Sequence, residues 1–424
     1  MTIWVGTACL AALGLCLGCG QTAKSEREGD PPAATPSAKP GESPPNKAPA
    51  AEPRCTQVKF ADPGLEQLLR RSLELATTDA LTPERLRELK HFNGGAVYEP
   101  RIVSLEGIQC AENLESIMLG GGGISDLSPL AELTKLTDIG FHEQSISDLS
   151  PLARLTQLED LSLYDNPLAD IAPLAHLTSL RRLFLSKTQL EDLSPLASLT
   201  SLTELSVSGL GVTSLEPLAS LSKLQKLSCD DTSVTDLSPL SSLTALTSLS
   251  LRRNQLQTLA PLGSLSALTY LAVSGNPLPH LRGLETLAAL RTLEAEQCEL
   301  SELSALASTS ALFDLNLDRN RIEDVSALAA HTQLSRVSLI GNPLADASPL
   351  ASLREAHQLL LSDTLITELP DWRPDSGYTC NVLWAERAPL SQAALTTQLR
   401  ELCESRRINV ILSGQDCAPC VAPP

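Results

Sequence analysis

Aromatic side chains are scarce: 3 Trp, 4 Tyr and 5 Phe make up 3% of the 424 residues. That excludes a core assembled around large rings. Positive charge is in deficit, with 32 Lys and Arg against 50 Asp and Glu, a net charge of -18 and a pI near 4.8. Nucleic acid is therefore not an expected partner, because binding it needs clustered Lys and Arg. Catalytic signatures are missing as well. His91, His142, His176, His280, His331 and His357 form no HExxH, and no GxSxG elbow or P-loop occurs. The run Gly120 to Gly123 lacks a following Gly-Lys-Ser/Thr and reads as a permissive turn. No catalytic residue, metal or cofactor is expected, and the chain does not read as an enzyme.

What the chain does have begins with residues 3–18 (IWVGTACLAALGLCLG), apolar and uncharged. This run is short for a spanning helix and suits a signal-peptide core. It ends in Leu17-Gly18-Cys19, after which the chain turns polar. The arrangement resembles a bacterial lipobox. The resemblance implies removal of residues 1–18, lipid on Cys19 and a place in the cell envelope, outside the cytoplasm. Gly20, where an Asp would signal otherwise, favours the outer membrane by the same resemblance. A cleaved secretory signal and an uncleaved anchor are the alternatives. Residues 19–54 are rich in Pro, Ala, Ser, Glu and Lys without apolar periodicity. Such a stretch cannot bury enough surface to offset its ordering entropy, and reads as an extended linker.

Self-comparison finds a period of 22 residues without insertion, in twelve repeats from Leu114 through Leu334 to Ala356. The third reads LEDLSLYDNPLADIAPLAHLTS. Apolar residues hold positions 1, 4, 6, 11, 14, 17 and 20, and Asn holds position 9 at Asn166, Asn254, Asn276, Asn320 and Asn342. Thr188, Thr232 and Thr364 replace it with part of its bonding capacity; Cys298 retains little and Leu210 none. Positions 3 to 7 alternate in and out, which predicts a short strand. An inward Asn amide can bond the backbone as the chain turns, and Pro at position 16 stops strand and long helix alike. Each repeat buries seven apolar side chains against the cost of ordering 22 backbones, so one repeat cannot fold alone and neighbours must cover each other.

These features predict an α/β repeat solenoid: a leucine-rich repeat arc with a parallel sheet on its concave face and short turns on its convex face. The repeat resembles that of bacterial internalins over residues 114–377. By the same resemblance, residues 55–113 form a helical N-terminal cap with a half repeat, helices starting at Asp62-Pro63 and Thr82-Pro83. Residues 378–424 read as a mixed C-terminal cap repeat and a Cys-containing tail, with a helix over 391–406 and a final strand over 408–412. An anchor at the N-terminus would replace the wall anchor that internalins carry at the other end.

Cysteine usage supports an oxidising compartment. Cys55, Cys110, Cys380, Cys403, Cys417 and Cys420 lie in the two caps and are candidates for structural disulfides. Zinc or redox chemistry at Cys417-Ala-Pro-Cys420 is the lesser reading. Cys229 and Cys298 sit three repeats apart in the core, too far to bridge at ~4.8 Å per strand. Position 13 stacks carboxylates at Asp126, Asp148, Asp170, Asp192, Asp236, Asp324 and Asp346. They read as caps on backbone N–H groups of the convex turn, ahead of a calcium column.

Function is then expected of the outward strand positions 3, 5, 7 and 8. Candidates for contacting a protein partner are Asp138, His142, Asp160, Tyr164, Asp165, Arg182, Phe184, Lys187, Arg252 and Tyr270. Tyr164 and Phe184 fall on adjacent strands, close enough to share one contact. Exposed aromatics and arginines on a rigid sheet are typical anchors; a solvated charged face is the competing reading. The expectation is a monomeric, envelope-tethered binder of one protein partner, touching the membrane through lipid alone. The alternative is a scaffolding lipoprotein without a high-affinity partner.

Overall fold

The strands from Ser116 to Leu360 are built from the same repeat positions, so this part of the sheet grows by translation. The computed structural model describes residues 55, 57–96, 101–372, 381–404 and 408–412. The apolar leader, Cys19, the linker, Cys380, Cys417 and Cys420 lie outside the described residues. Fifteen strands form one parallel sheet in chain order. It opens with β1 (His91–Ala96), β2 (Ser116–Gly120), β3 (Asp138–His142), β4 (Asp160–Ser162), β5 (Arg182–Phe184) and β6 (Glu204–Ser206). It continues through β7 (Lys226–Ser228), β8 (Ser248–Ser250), β9 (Tyr270–Ala272), β10 (Thr292–Glu294), β11 (Asp314–Asn316) and β12 (Arg336–Ser338). It closes with β13 (Gln358–Leu360), β14 (Asn381–Trp384) and β15 (Ile408–Ile411). Equivalent positions pair: Leu161 lies opposite Ile139 on one side and Leu183 on the other. The inward residues at positions 4 and 6 are buried in one continuous core along the solenoid.

Asparagine at position 9 ties each repeat to the one before. Asn166 Oδ1 accepts from the Ile146 N–H at 3.1 Å, and its Nδ2 donates to the carbonyls of Phe141 (2.8 Å) and Leu163 (3.0 Å). Asn254, Asn276, Asn320 and Asn342 repeat this pattern. Thr188 and Thr364 keep one bond each, to the carbonyls of Leu185 and Leu361. Thr232 reaches the Asn254 amide oxygen and joins the ladder through it. Gln144 occupies position 9 of the second repeat and reproduces the ladder with its longer amide, accepting from Ile124 N–H at 3.0 Å.

On the convex side most repeats make a 3-10 turn with proline in its first turn, as in Ser128–Leu130 and Ser194–Ser198. The position-13 aspartates cap these turns. Asp126 Oδ1 accepts from the Ser128 N–H at 2.8 Å, and Asp148, Asp192, Asp236, Asp324 and Asp346 do the same two residues on. The serine bonds pull the carboxyls of Asp126, Asp192 and Asp236 below their ordinary range. The eighth repeat lacks the 3-10 turn. It carries Gly283 at position 16, with φ +104°, where a Cβ would stand 2.5 Å from the Leu259 carbonyl oxygen.

At the N-terminal end α1 (Pro63–Ser72) and α2 (Pro83–Leu86) start at Asp62 and Thr82. Asp62 Oδ1 accepts from Gly64 N–H at 2.8 Å, while its Oδ2 accepts from Val103 N–H at 2.7 Å and fixes the helix to the half repeat. A disulfide joins Cys55 to Cys110, Cα atoms 5.3 Å apart. β1 goes beyond the half repeat expected there: a whole strand precedes the first repeat, with a register shift between Asn93 and Gly95. At the other end the helix runs over 392–404, with a π-helical stretch Ala394–Gln398 leading into α3 (Leu399–Glu404). Cys403 lies within α3, and β15 pairs with β14 in parallel. Cys229 and Cys298 are buried free thiols, each pushed up to about 11 by burial.

Candidate functional site on the concave face

Outward residues of successive strands stack in rows, and position 8 turns each row's end upward in a left-handed conformation. Glu143, Asp165, Lys187, Asp231, Arg253, Gln297, Arg319 and Asp363 all have φ between 51° and 57°, and glycine takes this position at Gly121, Gly209, Gly275 and Gly341. The backbone demands it because the position-8 N–H must reach the next strand, as Asp165 N–H does to the Ser186 carbonyl at 3.0 Å. Lone left-handed residues with long polar side chains therefore line one rim of the face.

Asp138 and His142 lie on β3, Asp160 on β4, Arg182 and Phe184 on β5, and Tyr270 on β9. Tyr164, Asp165, Lys187 and Arg252 follow at the strand ends. The structure pairs these residues differently from a simple contact patch. Arg182 grips Asp160 across β4 and β5, with Nη2 2.8 Å from Oδ2. Phe184 sits opposite Ser162, and the Tyr164 ring is covered by Lys187, its Nζ 5.0 Å from the centroid. Register sets Phe184 one row below Tyr164, and Lys187 adds a cation–π contact to the Tyr164 ring. Asp138 has Asp160 as its neighbour. Burial first, then that second carboxylate, raises its pKa. Burial lowers the pKa of His142, whose Nδ1 lies 3.3 Å from Ser162 Oγ.

A second cluster centres on Arg252. Its guanidinium meets Asp230 at 3.3 Å and Glu294 at 2.7 Å, and also bonds the Tyr270 hydroxyl, which donates to Glu294 at 2.9 Å. Burial and Glu294 push Tyr270 up to about 12. Asp230 and Glu294 were not singled out from sequence. Asp230 has a signal in its 22-residue spacing from Arg252 at the same position 7, whereas Glu294, at position 5 and 42 residues on, has none. Further ladders pair Arg253 with Asp231, Arg319 with Glu296, Arg336 with Asp314 and Arg387 with Asp363. An apolar row, Leu360, Trp384 and Ile411, crosses β13 to β15 and was also missed.

Comparison with known proteins fits this geometry. The family described as Leucine Rich repeats (2 copies) matches residues 156–198, 178–220 and 222–264. The crystal structure of an internalin (inlF) from Listeria monocytogenes aligns at 34% identity and TM-score 0.70, covering 73% of this chain and 91% of that one. This chain belongs to the internalin-type leucine-rich repeat family. The functional domain of InlJ from Listeria monocytogenes, whose description includes a cysteine ladder, shares the internalin fold at 24% identity and TM-score 0.62, covering 79% of this chain and 76% of that one. The plant peptide hormone receptor RGFR1, in complex with RGF2, shares it at 18% identity and TM-score 0.52, covering 73% of this chain and 53% of that one. No curated protein sequence matches. The internalin repeat of this chain thus supplies a fold commonly used to bind proteins.

Proposed function

We propose that this chain is a non-enzymatic protein-binding solenoid, held to the cell envelope by lipid on Cys19 and recognising a protein partner through its concave face. Residues 55–113 and 378–424 act as caps, and residues 19–54 as the tether. The observation that carries the reading is the pair of half-buried rings at the end of β4 and on β5, Tyr164 and Phe184, with the exposed Asp165 and Lys187 beside them on a rigid sheet. Rigid aromatics lose little entropy on binding, and their burial can be worth about 2 kcal/mol or more. Internal pairing strengthens the case for the rings, since Arg182 is already engaged by Asp160.

Crosslinking in the native cell identifies the partner. Tyr164→Ala with Phe184→Ala should then weaken its binding at least tenfold, mainly through faster dissociation, with folding unchanged. The convex-face control His176→Ala should bind as the parent does. Equal affinity of all three would move the site off this rim and favour the scaffolding alternative. The tether is read separately: Cys19→Ala should abolish partitioning into detergent, and unchanged partitioning would remove the lipid anchor from the proposal.

A further inference from the structure

The convex turns re-enter the sheet just ahead of each strand, at the rim opposite position 8. Between β4 and β7 this rim holds a polar cavity of about 410 Å³. Glu159 and Arg181 line it from the residues preceding β4 and β5, and Lys223 lines it from the turn before β7. Hydroxyls of Thr178, Ser179 and Ser201 complete the wall. Arg181 Nε meets Glu159 at 3.3 Å, so the one carboxylate of the lining is already matched. Among the described residues no hydrogen bond occupies the Arg181 Nη groups, and the Lys223 ammonium has neither an ion pair nor a hydrogen bond. Neighbouring cations differ: Arg182 is held by Asp160, and Lys226 by Glu204 at 3.5 Å. The three hydroxyls are likewise without a partner among the described residues. Two cations against one carboxylate leave this lining positive, on a chain whose net charge is -18.

We propose that this cavity binds the phosphate group of a phosphomonoester. Lys223 and the Arg181 Nη groups would hold its charged oxygens, and the hydroxyls of Ser179 and Ser201 would donate to the rest. The donor inventory selects this ligand class. Ammonium and guanidinium offer N–H groups alone, the hydroxyls can add O–H donors, and the only charged acceptor is spent on Arg181. Such a lining repels a cation and gives an apolar group nothing to pack on, whereas an oxyanion takes charge-assisted bonds from every side. Arginine brings a planar fork and lysine a point charge, both suited to phosphate. A phosphomonoester carries about -1.5 to -2 near pH 7, enough for both cations, where a carboxylate carries one charge and two oxygens. The site uses none of the concave-face rings, so it stands independently of the protein-binding reading.

Inorganic phosphate is titrated into the full chain by calorimetry, at neutral pH and at constant ionic strength in chloride. It should bind saturably and at least tenfold tighter than acetate. Lys223→Gln and Arg181→Gln should each weaken it at least fivefold. Arg181→Gln also releases Glu159, so Lys223→Gln is the cleaner variant. Lys226→Gln removes the same charge from the adjacent ion pair and should bind phosphate as the parent does. Two further probes distinguish the source of the phosphate: glycerol 1-phosphate in solution, and phosphatidylcholine vesicles with or without phosphatidate. The vesicles are sedimented with the Cys19→Ala chain, so that no lipid on Cys19 contributes. Lys223-dependent binding that is tighter to phosphatidate vesicles than to glycerol 1-phosphate assigns a lipid headgroup; the reverse order assigns a soluble phosphomonoester. Absence of saturable phosphate binding, binding unchanged in Lys223→Gln, or an equal loss in Lys226→Gln would overturn the site. Acetate binding as tightly as phosphate would overturn its chemistry.

Discussion

Asn276 Oδ1 accepts from Leu256 N–H at 3.1 Å, and its Nδ2 donates to the carbonyls of Leu251 at 2.8 Å and Val273 at 2.7 Å. The amide is buried, so water cannot take over these bonds. Asn276→Ala strands a backbone donor in the core and should cost about 2–3 kcal/mol in chemical denaturation. Asn276→Thr should cost less, because a threonine there keeps one carbonyl bond, as Thr188 does at 2.9 Å to Leu185. An alanine variant as stable as the parent would mean that the ladder is incidental to folding. The same residue scale explains what sequence reading reached at this position. The Asn, Thr and Cys substitutions were legible because each side chain has a fixed bonding capacity. Gln144 was less so, since its extra methylene matters only once the depth of the turn is known.

At the scale of the element, the strands and convex turns were readable because a strict 22-residue period repeats every packing decision. β1 was not. His91–Ala96 has a single buried apolar side chain of the strand type, Phe92, and two glycines at a register shift, so alternation gives no signal. The pairing of Arg252 with Asp230 and Glu294 was hidden for another reason. Period places side chains in rows, but rotamers decide which neighbours meet. The turn of the eighth repeat tests element-level reasoning directly. Gly283 has φ +104° and no room for a Cβ beside the Leu259 carbonyl. Gly283→Ala combines backbone strain with a clash, and should cost more than ~1 kcal/mol. Gly263→Ala is its control, since a Cβ there meets Thr286 Oγ1 at 3.3 Å and the Gly283 carbonyl oxygen at 3.4 Å, tight contacts without the overlap found at Gly283. Thermal melts of the two variants should separate by several degrees. Coincident melts would show that the eighth turn relaxes without cost.

The described sheet is a line of nearest-neighbour strand contacts. Among the described residues β8 pairs with β7 and β9 and with no other strand. A lesion in the middle therefore acts locally, unlike one in a globular core. Leu249 is the test residue, wholly buried on β8 and opposite Leu227 and Leu271. Leu249→Ala removes buried methyl groups and leaves a cavity, at a cost of roughly 2–5 kcal/mol. Because stability is summed along the array, that cost should appear first as opening of the fifth to eighth repeats. Hydrogen exchange should quicken across residues 202–289 and stay near the parent's rate in α1, which Asp62 caps, and in β2, six strands from β8. Uniform quickening from cap to cap would mean that the solenoid opens as one unit. Unchanged exchange would mean that Leu249 is not the buried residue the register makes it.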